Sequence, residues 1–180
     1  MLQYCNIFKT AAVFFDEPTK QHYLMEISRK AKLAHTSVKN HIIQLERSKI
    51  IIKQIEKKGK RKFPVYITNI NEQPYKEAKQ LYNLYSLRAS NLIDHLKNTF
   101  YPDCIVVFGS YRRGDDTEQS DIDIYLEAEE QDYNLRKFEN YLNRKIELHF
   151  RRPFKECPQE LKNNIINGIL LYGYLGVFQN

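Results

Sequence analysis

The chain has 180 residues, of which 42% are hydrophobic and 28% charged, with a formal net charge of +6. That composition predicts one large or two small globular domains able to bury real cores. It excludes a membrane span, because no apolar run approaches the roughly 20 residues a spanning helix needs, and there is no secretory-type start, so cytoplasmic residence is the expectation. Three scattered cysteines, Cys5, Cys104 and Cys157, argue against both a disulfide framework and a zinc cluster.

The charge is uneven. Residues 1–74 hold fourteen lysines and arginines against six acids, and residues 75–180 hold fourteen against sixteen. The asymmetry predicts two modules, the first drawn to a polyanion. Within the basic half, Tyr4 to Phe15 reads as a helix, Gln21 to Ala31 as a second, and Thr36 to Arg47 as a third, which Thr36 or Ser37 can cap. Val38, Ile42 and Leu45 form a buried stripe on the third helix, while Ser37, Asn40, Gln44 and Arg47 form an outward one.

Ile50 to Ile55 and Phe63 to Thr68 read as two strands around a basic, glycine-containing tip at Glu56 to Lys62, a β-hairpin. Residues 4–70 resemble a winged helix-turn-helix domain in pattern and order. Ser37, Asn40, Gln44 and Arg47 are then candidates for base edges or phosphates in duplex DNA, and Lys57, Lys58, Lys60, Arg61 and Lys62 for the backbone or minor groove. The competing reading is a solvated hairpin tip on a protein-docking module.

Residues 75–99 contain no proline or glycine and follow Pro74, so the spacing predicts one long helix. Ala78, Tyr82, Tyr85, Ala89, Leu92 and Leu96 recur at alternating spacings of four and three, a seam that suits a coiled-coil homodimer or packing within one chain. The expected organisation is a nucleic-acid-binding domain over 1–72, a linker or dimerisation helix over 73–100, and a catalytic domain over 101–180.

The apolar run Cys104 to Phe108 reads as a buried strand that Gly109 and Ser110 interrupt, opening a turn whose free N–H groups attract phosphate. From Ser120 to Leu126 the sequence alternates, placing Ile122 and Ile124 on one face and Asp121 and Asp123 on the other. Paired carboxylates at that spacing suit Mg2+, one or two ions, which takes the rest of its shell from water and substrate phosphates.

Gly109-Ser110, the Arg113-Gly114 step and Asp121-x-Asp123 together resemble the motif of the polymerase-beta-like nucleotidyltransferase superfamily, in its minimal, antitoxin-type form. The resemblance implies an α/β (α+β) fold with a small mixed sheet flanked by helices. It implies that Gly109 and Ser110 hold the outer phosphates of ATP or another NTP, that Arg113 neutralises them with Arg112 as a further candidate, and that Asp121 and Asp123 bind metal. A third carboxylate from a later strand is part of that pattern, and Glu147 in Lys145 to Phe150 fills the place, as metal ligand or base. Asp115, Asp116 and Glu118 read as solvated turn formers. His149 shares a strand face with Glu147 and reads as packing or surface, while Arg151 and Arg152 could meet phosphate.

Asp132 to Leu142 is helical in pattern, and Pro158 to Leu171 reads as a last amphipathic helix. About 80 residues for the catalytic part are too few to grip a template, which excludes a processive polymerase. The resemblance therefore implies Mg-dependent transfer of a nucleoside monophosphate, AMP from ATP first, to a protein or RNA hydroxyl. A toxin of the HEPN ribonuclease class is the partner implied. The alternative is a DNA-binding transcription regulator whose second domain only senses nucleotide or binds a partner.

Overall fold

The computed structural model describes residues 5–151 and 153–178, so Tyr4, where the first helix was expected to begin, and Arg152 lie outside the described residues. Two compact units divide between Tyr82 and Asn83, and each has its own apolar core.

The first unit opens with α1 (Asn6–Asp16), α2 (Leu24–Ala31) and α3 (His35–Arg47), followed by β1 (Ile51–Lys58) and β2 (Arg61–Thr68). Phe14, Phe15, Ile27, Val38, Ile42 and Leu45 bury the inner faces of the three helices against one another and against Ile51. A hydrogen bond of 2.8 Å between Thr10 Oγ1 and His41 Nδ1 ties α1 to α3. The strands pair antiparallel from Ile51 opposite Thr68 to Lys58 opposite Arg61, so the turn is only Gly59 and Lys60. Gly59 takes φ +63°, the left-handed region that a two-residue hairpin requires.

Two helix starts differ from expectation. Helix α2 begins at Leu24, not Gln21, because the backbone of His22 exchanges both hydrogen bonds with Tyr66, at 2.9 Å each. Helix α3 begins one residue before Thr36, with Ala34 at the cap position and no side-chain cap bond. Thr36 and Ser37 are therefore first-turn residues, not caps.

The single long helix expected over 75–99 is instead α4 (Gln73–Ala89) and α5 (Leu92–Phe100). Asn91 carries the break at φ +60°, a conformation asparagine tolerates better than most residues. Ser90 Oγ accepts the Leu92 N–H at 3.2 Å and donates to the Leu87 carbonyl at 2.8 Å. Helix α4 is thus about 25 Å long at 1.5 Å per residue. Four of the six seam residues pack within the chain, Ala78 and Tyr82 on the first core, Leu92 and Leu96 on the second. Lys79 is fully buried in the first unit, and its ammonium donates to the Phe15 carbonyl at 2.7 Å.

The second unit continues with β3 (Cys104–Phe108), α6 (Gly109–Arg113), β4 (Ile122–Leu126), α7 (Arg136–Leu142), β5 (Ile146–Phe150), α8 (Gln159–Ile166) and β6 (Ile169–Gly173). The sheet order is β5-β4-β3-β6. Strand β3 runs antiparallel to β4 and β6, whereas β4 and β5 are parallel, joined by a crossover through α7 as parallel neighbours must be. Both faces of β3 are covered. Ile105 and Val107 join the core beneath α4, α5 and α7, and Cys104, Val106 and Phe108 join Phe154, Cys157 and Ile165 on the other side. The result is a mixed α/β fold consistent with a polymerase-beta-like one.

The last helix expected through Leu171 stops at Ile166, and Ile169–Gly173 is the sheet's edge strand. Gly168 forces the change of direction, since a Cβ there would stand 2.4 Å from Val106 Cγ1 and 2.8 Å from the Val107 carbonyl. Helix α7 is also shorter than the expected Asp132 to Leu142.

Candidate functional site

The parallel pairing of β4 with β5 sets Asp123 directly beside Glu147 and Tyr125 beside His149, while Phe108 at the end of β3 pairs with Asp123 from the other side. Ile122, Ile124, Ile146 and Leu148 are all buried, so by the two-residue period Asp123, Glu147 and His149 share the opposite face of the strand pair. One carboxylate or imidazole from each of Asp123, Glu147 and His149 then falls in a group whose ligand atoms lie within 4.8 Å of one another.

His149 Nε2 stands 3.5 Å from Asp123 Oδ1 and 3.9 Å from Glu147 Oε1. That nitrogen is buried and makes no hydrogen bond among the described residues, and the ring packs against Phe108 at a centroid distance of 5.1 Å. The ring packs as the sequence reading expected, and the structure adds two carboxylate neighbours to it. Its neighbours come from across the sheet, which spacing along the chain does not display. The neighbouring Asp123 and Glu147 carboxylates are the hard oxygen donors that a divalent cation such as magnesium takes, and the His149 imidazole stands beside them. Asp121 precedes β4, is exposed, and stands outside this group of three. It borders an open recess of about 560 Å3 that Ser120, Asn140, Asn143 and Lys145 also line.

The Gly109-Ser110 turn lies against the same carboxylate. Gly109 has φ +72°, and a Cβ on it would come within 2.1 Å of Asp123 Oδ2. Both the backbone angle and the close approach therefore require glycine. Ser110 is the second residue of α6 and is half-buried, Arg112 is half-buried, and Arg113 is exposed with its Nε 3.1 Å from Asp115 Oδ2. These residues are carried by one short helix immediately beyond β3, on the side where Asp123 emerges.

What holds that helix was missed at the sequence level. Asp116 is fully buried, not a solvated turn residue. Asn83 Nδ2 donates to both the Tyr111 carbonyl and Asp116 Oδ1, each at 2.8 Å, and the Arg144 guanidinium lies 3.7 Å from Asp116 Oδ2. Helix α6, the loop after it and the end of α7 are thus fastened at one buried carboxylate. The signal was only an acid two residues from the arginine-glycine step, which does not distinguish burial from exposure.

Below the sheet, burial first and the nearby Glu127 carboxylate second push the Cys104 thiol up to about 12. Burial also raises the Tyr125 phenol, whose hydroxyl donates to the Arg151 carbonyl at 3.1 Å. Both groups stay protonated at neutral pH and act as packing.

In the first unit, Asn40, Gln44 and Arg47 are exposed on α3 and Ser37 is half-buried. Lys57, Lys58, Lys60, Arg61 and Lys62 are exposed at the hairpin end. Lys58 is engaged locally, donating to the Tyr23 hydroxyl at 2.6 Å and pairing with Glu56 at 3.2 Å.

A Gly-Ser turn set against carboxylates on adjacent strands of a mixed sheet is consistent with a nucleotidyltransferase-type domain. Residues 90–174 match the family described as Polymerase beta, Nucleotidyltransferase, just under half of the chain. A protein of Methanocaldococcus jannaschii named as a protein adenylyltransferase is 47% identical over 47 residues, which cover 26% of this chain and 45% of that relative. The match thus spans less than half the relative's length.

Proposed function

We propose that the second unit transfers a nucleoside monophosphate, AMP from ATP, to a hydroxyl of a protein or RNA acceptor with Mg2+ as cofactor. The observation that carries the proposal is the registration of Asp123 beside Glu147 immediately behind the Gly109-Ser110 turn. Asp121, Asp123 and Glu147 would hold the metal, with His149 beside them. A divalent ion bound there would supply charge neutralisation for the phosphates and lower the pKa of a bound hydroxyl. Gly109 and Ser110 would bind the outer phosphates, and Arg113 and Arg112 would offset their charge. Glu147 is 58% exposed at its side chain, so it can reach the proton of an acceptor hydroxyl docked from solvent. The relative's name supports AMP as the group and protein as an acceptor class.

The first unit is proposed to be a winged helix-turn-helix that binds duplex DNA through Asn40, Gln44, Arg47 and the basic hairpin end. A homodimer would suit a palindromic operator, and a HEPN-class toxin is the proposed protein partner, acting with this chain in the cytoplasm.

Incubation of the chain with α-labelled ATP, Mg2+ and a cell lysate tests the transfer. Label should appear on a protein or RNA with wild type and be lost with Asp123→Ala. A second reading, a regulator that binds nucleotide without transferring it, draws on the exposure of Asp121 outside the group of three. Nucleotide binding by calorimetry with no label transferred would favour that reading. Charge reversal at Arg61 and Lys62 should weaken duplex DNA binding and reduce the salt slope by about 2, near 0.9 per lost phosphate contact.

A further inference from the structure

The first unit contains a second group of possible metal ligands, far in sequence from the transferase motif. Glu17 lies in the turn after α1, His22 in the bridge to β2, and Glu26 in the first turn of α2. Their ligand atoms lie within 4.8 Å of one another.

His22 is completely buried, with its ring packed edge-on against Phe14. Its Nε2 lies 3.3 Å from the Glu17 carbonyl oxygen, and a carbonyl can only accept, so Nε2 carries the proton and donates. In the neutral ring this leaves the lone pair on Nδ1. Nδ1 is buried without a hydrogen-bond partner, and it faces Glu26 Oε1 at 3.6 Å and Glu17 Oε2 at 3.9 Å. A lone pair directed at two carboxylates is repulsive unless positive charge stands among them. The backbone carbonyl on the other ring nitrogen is the arrangement that orients metal-bound imidazoles.

Lysines now supply part of that charge. Lys30 pairs with both Glu17 and Glu26, and Lys20 with Glu17 at 2.7 Å. Neither ammonium reaches His22 Nδ1 as a hydrogen-bond donor among the described residues. The Lys30 side chain is 34% exposed and can swing into water, surrendering both carboxylates.

We infer that Glu17, His22 and Glu26 form a binding site for a divalent transition-metal ion of the zinc class, which Lys30 vacates on binding. Ligand atoms at about 2.0–2.2 Å from one tetrahedral ion stand roughly 3.3–3.6 Å apart, so the 3.6 Å and 3.9 Å separations from His22 Nδ1 need shorten only slightly. A nitrogen donor beside two carboxylates favours zinc over magnesium, which is held by oxygen. The ion would join the end of α1, the start of α2 and, through the His22 bridge, β2.

The test is zinc calorimetry and the visible spectrum of the cobalt(II) form, on the full chain carrying Asp123→Asn and His149→Gln to silence the other group. One equivalent should bind. In that background His22→Gln should weaken binding by about tenfold or more, and Glu26→Gln should do so with the histidine packing intact. Lys30→Ala should tighten binding, because the competing ammonium is gone. Circular dichroism checks that each variant folds. The inference is overturned by absence of zinc binding up to millimolar, by unchanged affinity in His22→Gln and Glu26→Gln, or by weakened binding in Lys30→Ala. Nitrogen NMR of His22 provides a separate readout: Nδ1 should shift as a metal-bound atom, and an Nδ1 resonance that zinc leaves unchanged overturns the site.

Discussion

Replacing Gly109 by alanine should damage catalysis far more than folding. The added Cβ would stand 2.1 Å from Asp123 Oδ2 and must recede to at least 3.0 Å, so turn and carboxylate separate by about 0.9 Å. A misplacement near 1 Å of a reacting or metal-binding group costs about 100-fold in rate. Holding alanine at φ +72° adds about 1–2 kcal/mol of backbone strain. For a chain of this size that lowers the Tm by roughly 2–8 °C. The assay pairs initial rates of labelled AMP transfer with a thermal melt of the same preparation. The expected outcome is a variant folded at 25 °C whose rate is down about 100-fold. Transfer within threefold of wild type would refute the claim that the turn and Asp123 must touch.

Three further outcomes can be measured. Gly168→Ala should destabilise by about 1–3 kcal/mol, since its Cβ meets two carbonyl oxygens within 3 Å, and denaturant midpoints check this. In the native state one thiol, the exposed Cys5, should react quickly with a thiol reagent at pH 8. Buried Cys104, with its pKa pushed up to about 12, and buried Cys157 should react only after denaturation. Burial alone would raise the Glu17 and Glu26 carboxyls, but hydrogen bonds and charge from Lys30, with Lys20 at Glu17, outweigh it and hold both below 4.5. A depressed native pKa gives stability that is present above the unfolded value and is lost as pH falls through the native one. Acid titration of the metal-free chain should therefore show a loss beginning below about pH 4.5 that Lys30→Ala diminishes.

The Gly-Ser turn and the Asp pair of the candidate site stand out in the sequence because their message is local. Gly109-Ser110 interrupts an apolar strand, and Asp121 and Asp123 alternate with isoleucines that must be buried. Glu147 needed the family pattern as well. Asp116 was misread, and the carboxylate neighbours of His149 were not visible, because their partners come from other strands and helices, Arg144 after α7 and Asp123 across the parallel pair. The Ser90-Asn91 break has neither glycine nor proline to mark it and depends on asparagine adopting positive φ. Strand β6 was taken for helix because a short apolar run such as Ile169 to Leu171 fits either state, and the deciding contact is Gly168 against Val106 and Val107.

The parallel pair β4–β5 also carries a hazard of misalignment. Lys145, Glu147 and His149 occupy one face, and Ile146, Leu148 and Phe150 the other, so sliding β5 by two residues would bury nearly the same apolar surface. It would also bring Lys145 opposite Asp123 and turn an acidic pair into a salt bridge. Hydrophobic burial can reject a one-residue slip but not this one. One side-chain bond can. Glu139 Oε1 on α7 accepts the Ile146 N–H at 3.1 Å. Glu139 thus works as an alignment key, reserving the place beside Asp123 for an acid although it takes no part in the chemistry.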